Sequence, residues 1–293
     1  MYREIEFRSE DTIIRGRLYA PREVSGPAPV IIMAPGFGGL IQHSPVAYAE
    51  VFAAAGLAVL VYDHPRFGAS DGQPRQDADP VLQRRTYRDA ISYAQTLPEV
   101  DPLRIGLWGS SYGGGHVLEV AAQDPRVRCV VSQVPTISGF AQARRRMTAD
   151  AMKAMRVRFD EDRARRLQGA APATLPLVSI DPAQPGYFNT RAAYDNYMQV
   201  PEFVNRITLR SIEMNWENEP AINIERVSPR PLLMIVADED EATPSDLALG
   251  AYQRALEPKQ LMIVKGGHFS PYHEHLERTS AAARDWFLRH LKG

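Results

Sequence analysis

Cysteine is nearly missing from this chain. Only Cys129 stands among 293 residues, so no internal disulfide can form. Its apolar setting, Val127-Arg128-Cys129-Val130-Val131, reads as a buried structural thiol. Net charge is missing too: 34 Lys and Arg face 35 Asp and Glu. That balance gives no global attraction to nucleic acid or to an anionic membrane. No apolar run approaches the length of a bilayer span. The first twenty residues are charged and alternating, with no apolar h-region, so no signal peptide is expected. The expectation is a cytoplasmic protein. Internal repeats and low-complexity tracts are absent as well. What the chain does have is a 44% hydrophobic content, enough for a sizeable core. Its length suits one large α/β domain, or one domain with an insertion.

Two alternating segments open the chain, residues 4–8 and 12–19. Their period of two predicts an antiparallel hairpin with one wet face. Nearly continuous apolar runs follow at 29–34, 57–62, 105–108, 129–134, 232–237 and 261–264. Such runs suit parallel strands covered on both faces. Helical patterns lie between and after them, at 45–55, 80–97, 112–122, 245–256 and 275–291. The alternation predicts a doubly wound, mostly parallel sheet of eight strands flanked by helices.

One stretch breaks the rhythm. Between about 136 and 227 there is no convincing buried strand, and ninety residues are too many for a loop. Met147, Ala151, Met155 and Phe159 recur every four residues, as on one face of a long helix. A Pro/Ala/Gly-rich connector at 169–186, a helical piece at 192–198 and another from Pro201 complete it. The expected division is a core of residues 1–135 and 228–293, with 136–227 as a largely helical lid.

The chemistry-bearing signal is Gly109-Ser110-Ser111-Tyr112-Gly113, a G-x-S-x-G frame with Ser111 at its centre. It follows a strand-like run and precedes a helical one. That context makes the motif a nucleophile elbow. A serine hydroxyl needs a base, and the base needs a carboxylate to fix its tautomer. The last strand-like run ends in Gly266-Gly267-His268, which makes His268 the base candidate. His273 and His275 lie further on, His116 is on the helix behind the elbow, and His43 and His64 follow early strands. Structural or surface roles are expected for these five. After the run ending at Ala237, four acids compete: Asp238, Glu239, Asp240 and Glu241. Pro244 marks a helix start, and Asp240 is chosen on the loop before it, with Asp238 as runner-up. Two oxyanion donors are expected, the amides of Tyr112 and of Phe37 in Pro35-Gly36-Phe37-Gly38-Gly39.

On these motifs the chain resembles the α/β-hydrolase superfamily. Within it, the chain is similar to the dienelactone-hydrolase-like and X-Pro-dipeptidyl-peptidase-like branch. There the segment after the fourth strand reads like Tyr62-Asp63-His64-Pro65-Arg66-Phe67-Gly68-Ala69-Ser70-Asp71-Gly72. The resemblance implies a Ser111–His268–Asp240 triad, Phe37 and Tyr112 as oxyanion donors, an acyl-enzyme and no cofactor or metal. Two departures stand out. Many relatives carry His-Gly before the oxyanion residue, whereas this chain has Pro35-Gly36. Dienelactone hydrolases proper use a cysteine nucleophile, so their substrate does not carry over.

The expected activity is serine-dependent cleavage of carboxylic esters with small to medium, partly apolar substrates. Thioesterase or acyltransferase action on an acyl or polyketide chain is the alternative, and a non-catalytic binding protein on the same fold ranks below both. The expected partner is a small-molecule ester or thioester, with neither nucleic acid nor membrane. A homodimer is left open. Large soft side chains of the lid, among them Met147, Met155, Tyr187, Phe188, Tyr197 and Trp216, would mostly pack it down, and a few would roof a pocket. Its many arginines, including Arg144, Arg145 and Arg146, read as a solvated helix face. A handle for a carboxylate or carrier phosphate is the weaker reading.

Overall fold

The computed structural model describes residues 2–21 and 26–292. The opening hairpin is β1 (Arg3–Ser9) and β2 (Thr12–Tyr19), paired antiparallel. Then come β3 (Ala28–Ala34), α1 (Pro45–Ala54), β4 (Ala58–Tyr62), α2 (Pro80–Ala94), β5 (Val100–Ser110), α3 (Tyr112–Gln123) and β6 (Val127–Gln133). The next stretch holds α4 (Gly139–Arg146), α5 (Ala149–Leu167), β7 (Thr174–Leu175), α6 (Arg191–Met198), β8 (Ile207–Thr208) and α7 (Leu209–Trp216). The chain ends with β9 (Leu232–Ala237), α8 (Ser245–Arg254), β10 (Lys259–Val264) and α9 (Leu276–Leu291). Among the described residues no helix is long and apolar enough to cross a membrane.

Eight strands form one sheet in the order β1-β2-β4-β3-β5-β6-β9-β10. The β1–β2 and β2–β4 pairings are antiparallel and the others parallel. This is the mostly parallel, helix-flanked sheet that the alternating runs predict. The continuous apolar runs are explained by burial on two sides. In β3, Val30 and Ile32 pack in the layer of α2, α3 and α8, while Ile31 and Met33 pack in the layer of α1 and α9. The edge strand β10 is the exception to full burial, with Ile263 at 47% exposure, because one of its sides has no neighbouring strand.

Side chains of the polar residues before the helices fix where several of them begin. Asp79 accepts from Val81 and Leu82, Ser138 from Ala141, Thr190 from Ala193 and Thr208 from Ser211. One such cap corrects the four-residue repeat read from the sequence. Thr148 caps α5, and Met147 is extended, so Met147 lies outside that helix. Its buried face carries Met152, Phe159 and Asp162, while Ala151 is exposed. Likewise the helix expected from Pro201 begins at Leu209, after Thr208. A two-residue pairing of β7 with β8, unseen in the sequence, ties this stretch together. The stretch packs on loops at the carboxyl ends of the sheet strands. Phe37, Leu40, Phe67 and Tyr112 share one apolar cluster with Phe159, Leu177, Tyr197, Ile212 and Trp216.

Candidate active site

Ser111 sits between β5 and α3 with φ of 58° and ψ of −121°, a region costly for any residue with a side chain. The surroundings hold it there. Its amide donates to the Gln133 carbonyl at 2.9 Å, and its carbonyl accepts from Thr136 at 2.9 Å and Gly115 at 3.2 Å. The turn is possible because position 109 lacks a side chain: a Cβ on Gly109 would lie 2.1 Å from the Gly113 carbonyl oxygen. Beneath the elbow, Ser110 bonds the Tyr272 hydroxyl at 2.7 Å.

His268 leaves β10 through the turn at Gly266 and reaches the serine. Its Nε2 is 2.9 Å from Ser111 Oγ, and its Nδ1 is 2.8 Å from Asp240 Oδ2. Asp240 lies on the loop after β9 and is itself fully engaged. Its Oδ1 accepts from the amides of Ala242 at 2.9 Å and Thr243 at 2.7 Å, and the Thr243 hydroxyl lies 2.8 Å from Oδ2. That hydroxyl also reaches the Val134 carbonyl at 2.9 Å, so its single proton has two acceptors. Asp240 and His268 are both buried, with His268 at 8% exposure. The runner-up carboxylate, Asp238, instead accepts from the Gly266 amide at 2.8 Å and braces the turn that delivers His268.

Phe37 follows β3, and its ring meets that of Tyr112 edge-on at 5.0 Å. Among the described residues, the amides of Phe37 and Tyr112 donate to no acceptor. Gly36 lies so close that a Cβ there would be 3.2 Å from Ser111 Cβ. The site therefore joins a serine, an imidazole and a carboxylate in hydrogen-bonded series, beside two unused amides and the N-terminus of α3. Such a set can deprotonate a hydroxyl and hold a developing oxyanion. Among the described residues no cluster of three His, Cys, Asp or Glu is arranged to hold a metal.

Comparison with known proteins identifies the family. Residues 11–270 match the pattern of the X-Pro dipeptidyl-peptidase (S15) family. The chain belongs to that family. It is 33% identical over 274 residues to the quorum-quenching protein AidA of Acinetobacter baumannii, covering 92% of this chain and 88% of that one. It is 32% identical to the thiohydrolase aneE of Aspergillus aculeatus, covering 89% of this chain and 84% of that one. The solved α/β hydrolase GrgF from Penicillium superposes with a TM-score of 0.87 at 28% identity over the whole of both chains. The protein is thus an enzyme of the α/β-hydrolase type.

In this member of the family, other groups support the loop that lacks the His-Gly pair. His64 is buried, and its Nε2–H donates to the Pro35 carbonyl at 3.1 Å. Burial pushes its pKa down to about 3, which keeps it neutral and a donor. His43 accepts the Leu40 amide at Nδ1, 2.9 Å, and donates from Nε2 to the Tyr197 carbonyl at 3.1 Å. The Tyr197 hydroxyl returns to the Phe37 carbonyl at 2.7 Å. His273 meets Asn196 at 3.2 Å, His275 meets the Lys265 carbonyl at 2.9 Å, and His116 packs behind the elbow against Gln83. None of these five reaches Ser111. The signal for His64 was its place after a strand, but its partner is 29 residues away.

A cavity of about 850 Å³ opens beside the histidine. His268 and Phe269 form part of its wall, and Met147, Met155, Leu175 and Trp216 give it an apolar lining. Tyr187 and Phe188 also line it, whereas Tyr197 is buried in packing and Met198 faces outward at 43% exposure.

Proposed function

We propose that this protein is a serine esterase acting on carboxylic esters whose acyl part is small to medium and largely apolar. His268 Nε2 takes the Ser111 proton as Oγ attacks the ester carbonyl, and Asp240 holds the imidazole with its Nδ1 proton directed inward. The Phe37 and Tyr112 amides receive the oxyanion. Each such donor is worth about 3 kcal/mol in the transition state. The leaving alcohol takes the proton from His268, and water repeats the cycle on the acyl-enzyme. Residues 136–227 act as a cap that carries most of the acyl pocket.

The observation that supports this reading above all others is the unbroken Ser111–His268–Asp240 series, with contacts of 2.9 and 2.8 Å, beside two amides without partners. A fluorophosphonate probe should label Ser111, as located by peptide mass mapping, and p-nitrophenyl ester turnover should vanish in Ser111→Ala. Unimpaired turnover in that variant would sink the proposal.

A second reading keeps the acyl-enzyme and changes what enters or leaves. It is favoured by the relatives named thiohydrolase and polyketide transferase, which align over 89% and 98% of this chain. Acyl-thioesters assayed with water and alcohol in competition separate ester hydrolysis, thioester hydrolysis and transfer. Amide cleavage, which the family description names, is harder for the same centre because an amine leaves less readily than an alcohol.

A further inference from the structure

Arg146 ends α4 and is one of the cap cations that face inward. Arg144 is exposed, and Arg145, which also reaches the cavity, is paired with Asp246 at 2.6 Å. Arg146 has no carboxylate partner among the described residues. Its guanidinium carbon stands 4.8 Å from the Tyr187 ring centre and 5.2 Å from that of Phe188. Nη2 donates to the Tyr187 hydroxyl at 2.8 Å, while Nη1 is shut off from solvent and has no partner. Asn215 Nδ2 donates to the same hydroxyl oxygen at 2.9 Å. With the Asn215 amide in this orientation both lone pairs of that oxygen are occupied and its own proton has no acceptor among the described residues, while Asn215 Oδ1 is likewise buried without a partner. Arg146 is half-buried, and two aromatic faces replace only part of the hydration its guanidinium has given up. The arrangement is one anion short.

The Tyr187 ring lies tilted against that of Phe37, 5.3 Å between centres, so this cluster adjoins the loop that flanks Ser111. We infer that Arg146 and Tyr187 form an anchor for a carboxylate on the acyl part of the substrate, so that the preferred ester is the monoester of a dicarboxylic acid. This rests on the esterase reading above. Once a side-chain shift opens Nη1 to the cavity, Nη1 and the phenol offer two donors to a planar, singly charged group. Glu239 and Glu241 border the same cavity without pairing to Arg146. They repel an acid placed beside them, which leaves the arginine as its seat.

The test compares kcat/KM for mono-p-nitrophenyl dicarboxylates, succinate through suberate, with the p-nitrophenyl alkanoates of equal length. For at least one length the wild type should favour the acid by about tenfold or more, as a charge-assisted bond implies. Arg146→Met should abolish that ratio, Arg146→Lys should keep part of it, and Tyr187→Phe should reduce it. If Arg146→Met misfolds, the other two variants carry the test. The inference is overturned if no length shows the preference, or if the ratio survives in Arg146→Met. Should no ester be cleaved and no probe label Ser111, the esterase reading fails by itself. The anchor is then tested by calorimetry of the free dicarboxylates against alkanoates, where equal binding by wild type and Arg146→Met would overturn it.

Discussion

Replacing Asp240 by asparagine should leave the fold intact and remove the activity. Two backbone amides, those of Ala242 and Thr243, point at Oδ1. In the variant the amide oxygen must stay there, since an NH₂ group would face two donors. The NH₂ therefore takes the place of Oδ2. One of its hydrogens meets the Thr243 hydroxyl oxygen, whose proton goes to the Val134 carbonyl at 2.9 Å. The other meets His268 Nδ1, which was 2.8 Å from the carboxylate. The imidazole must then carry its proton on Nε2 and donate to Ser111 instead of accepting from it. Loss of the correct tautomer should lower kcat about 10⁴-fold, or about 5 kcal/mol in the barrier. Every polar atom keeps a partner, so stability should change by less than about 1 kcal/mol. Asp240→Ala, in contrast, strands the two amides and should cost about 2 kcal/mol or more. Steady-state turnover of a p-nitrophenyl ester and urea denaturation read the two effects separately. A variant Asp240→Asn within tenfold of wild-type kcat would refute the reasoning, as would one that loses as much stability as Asp240→Ala.

Three further outcomes follow from named contacts. Ser111→Gly and Ser111→Ala should both be inactive, but the glycine variant should unfold at higher urea, by about 1 kcal/mol, because φ of 58° strains only the alanine. Burial keeps His64 neutral in the native state down to about pH 3, whereas a solvated imidazole in the unfolded chain protonates near 6.5. The unfolded chain therefore holds the extra proton between these values, so stability falls as pH drops through that window. His64→Gln should flatten the dependence by up to about one proton, measured by denaturation at several pH values. An unchanged slope would mean that His64 is already charged in the fold. Tyr197→Phe removes the 2.7 Å bond to the Phe37 carbonyl and should lower kcat about tenfold with little change in KM. A raised KM at constant kcat would place its effect in substrate binding instead.

The residues at the centre were legible because each is announced by backbone chemistry. Ser111 stands in a glycine frame between a strand run and a helix run. His268 follows two glycines that end another strand. Asp240 was harder, since four acids share its loop. Their geometry separates them: Asp240 turns inward to His268, while Asp238 caps the Gly266 amide. The order of the sheet was legible only in part. Apolar runs mark strands, yet nothing local says that β10 lies at an edge. The repeat Met147, Ala151, Met155 and Phe159 misled in its first two members, because spacing by four ignores a cap: Thr148 starts the helix after Met147 and Ala151 is exposed, while Met155 and Phe159 stay on the inner face beside Met152 and Asp162. Tyr197 and His43 were read as packing or surface groups. Their bonds link positions 154 and 160 residues apart, a separation that no periodicity records.

Those long-range bonds explain how the loop after β3, proposed to supply one oxyanion donor, keeps its shape without the histidine many relatives place before it. From the core side, His64 fixes the Pro35 carbonyl, and Asp63 accepts the Ile41 amide at 3.0 Å. From the cap side, the last turn of α6 holds both ends of residues 37–43: Tyr197 grips Phe37 with its hydroxyl, and its carbonyl grips His43, which in turn accepts the Leu40 amide. The same turn reaches the loop after His268, because Asn196 pairs with His273 at 3.2 Å. One helix of the segment between β6 and β9 thus touches both the donor loop and the base loop. A displacement of α6 would pull on the Phe37–Gly38 peptide and on the approach to His268 together. Tyr197 and His43 thus tie α6 to the loop after β3, and Asn196 and His273 tie it to the loop after His268, so polar substitutions at the end of α6 should alter turnover through both loops.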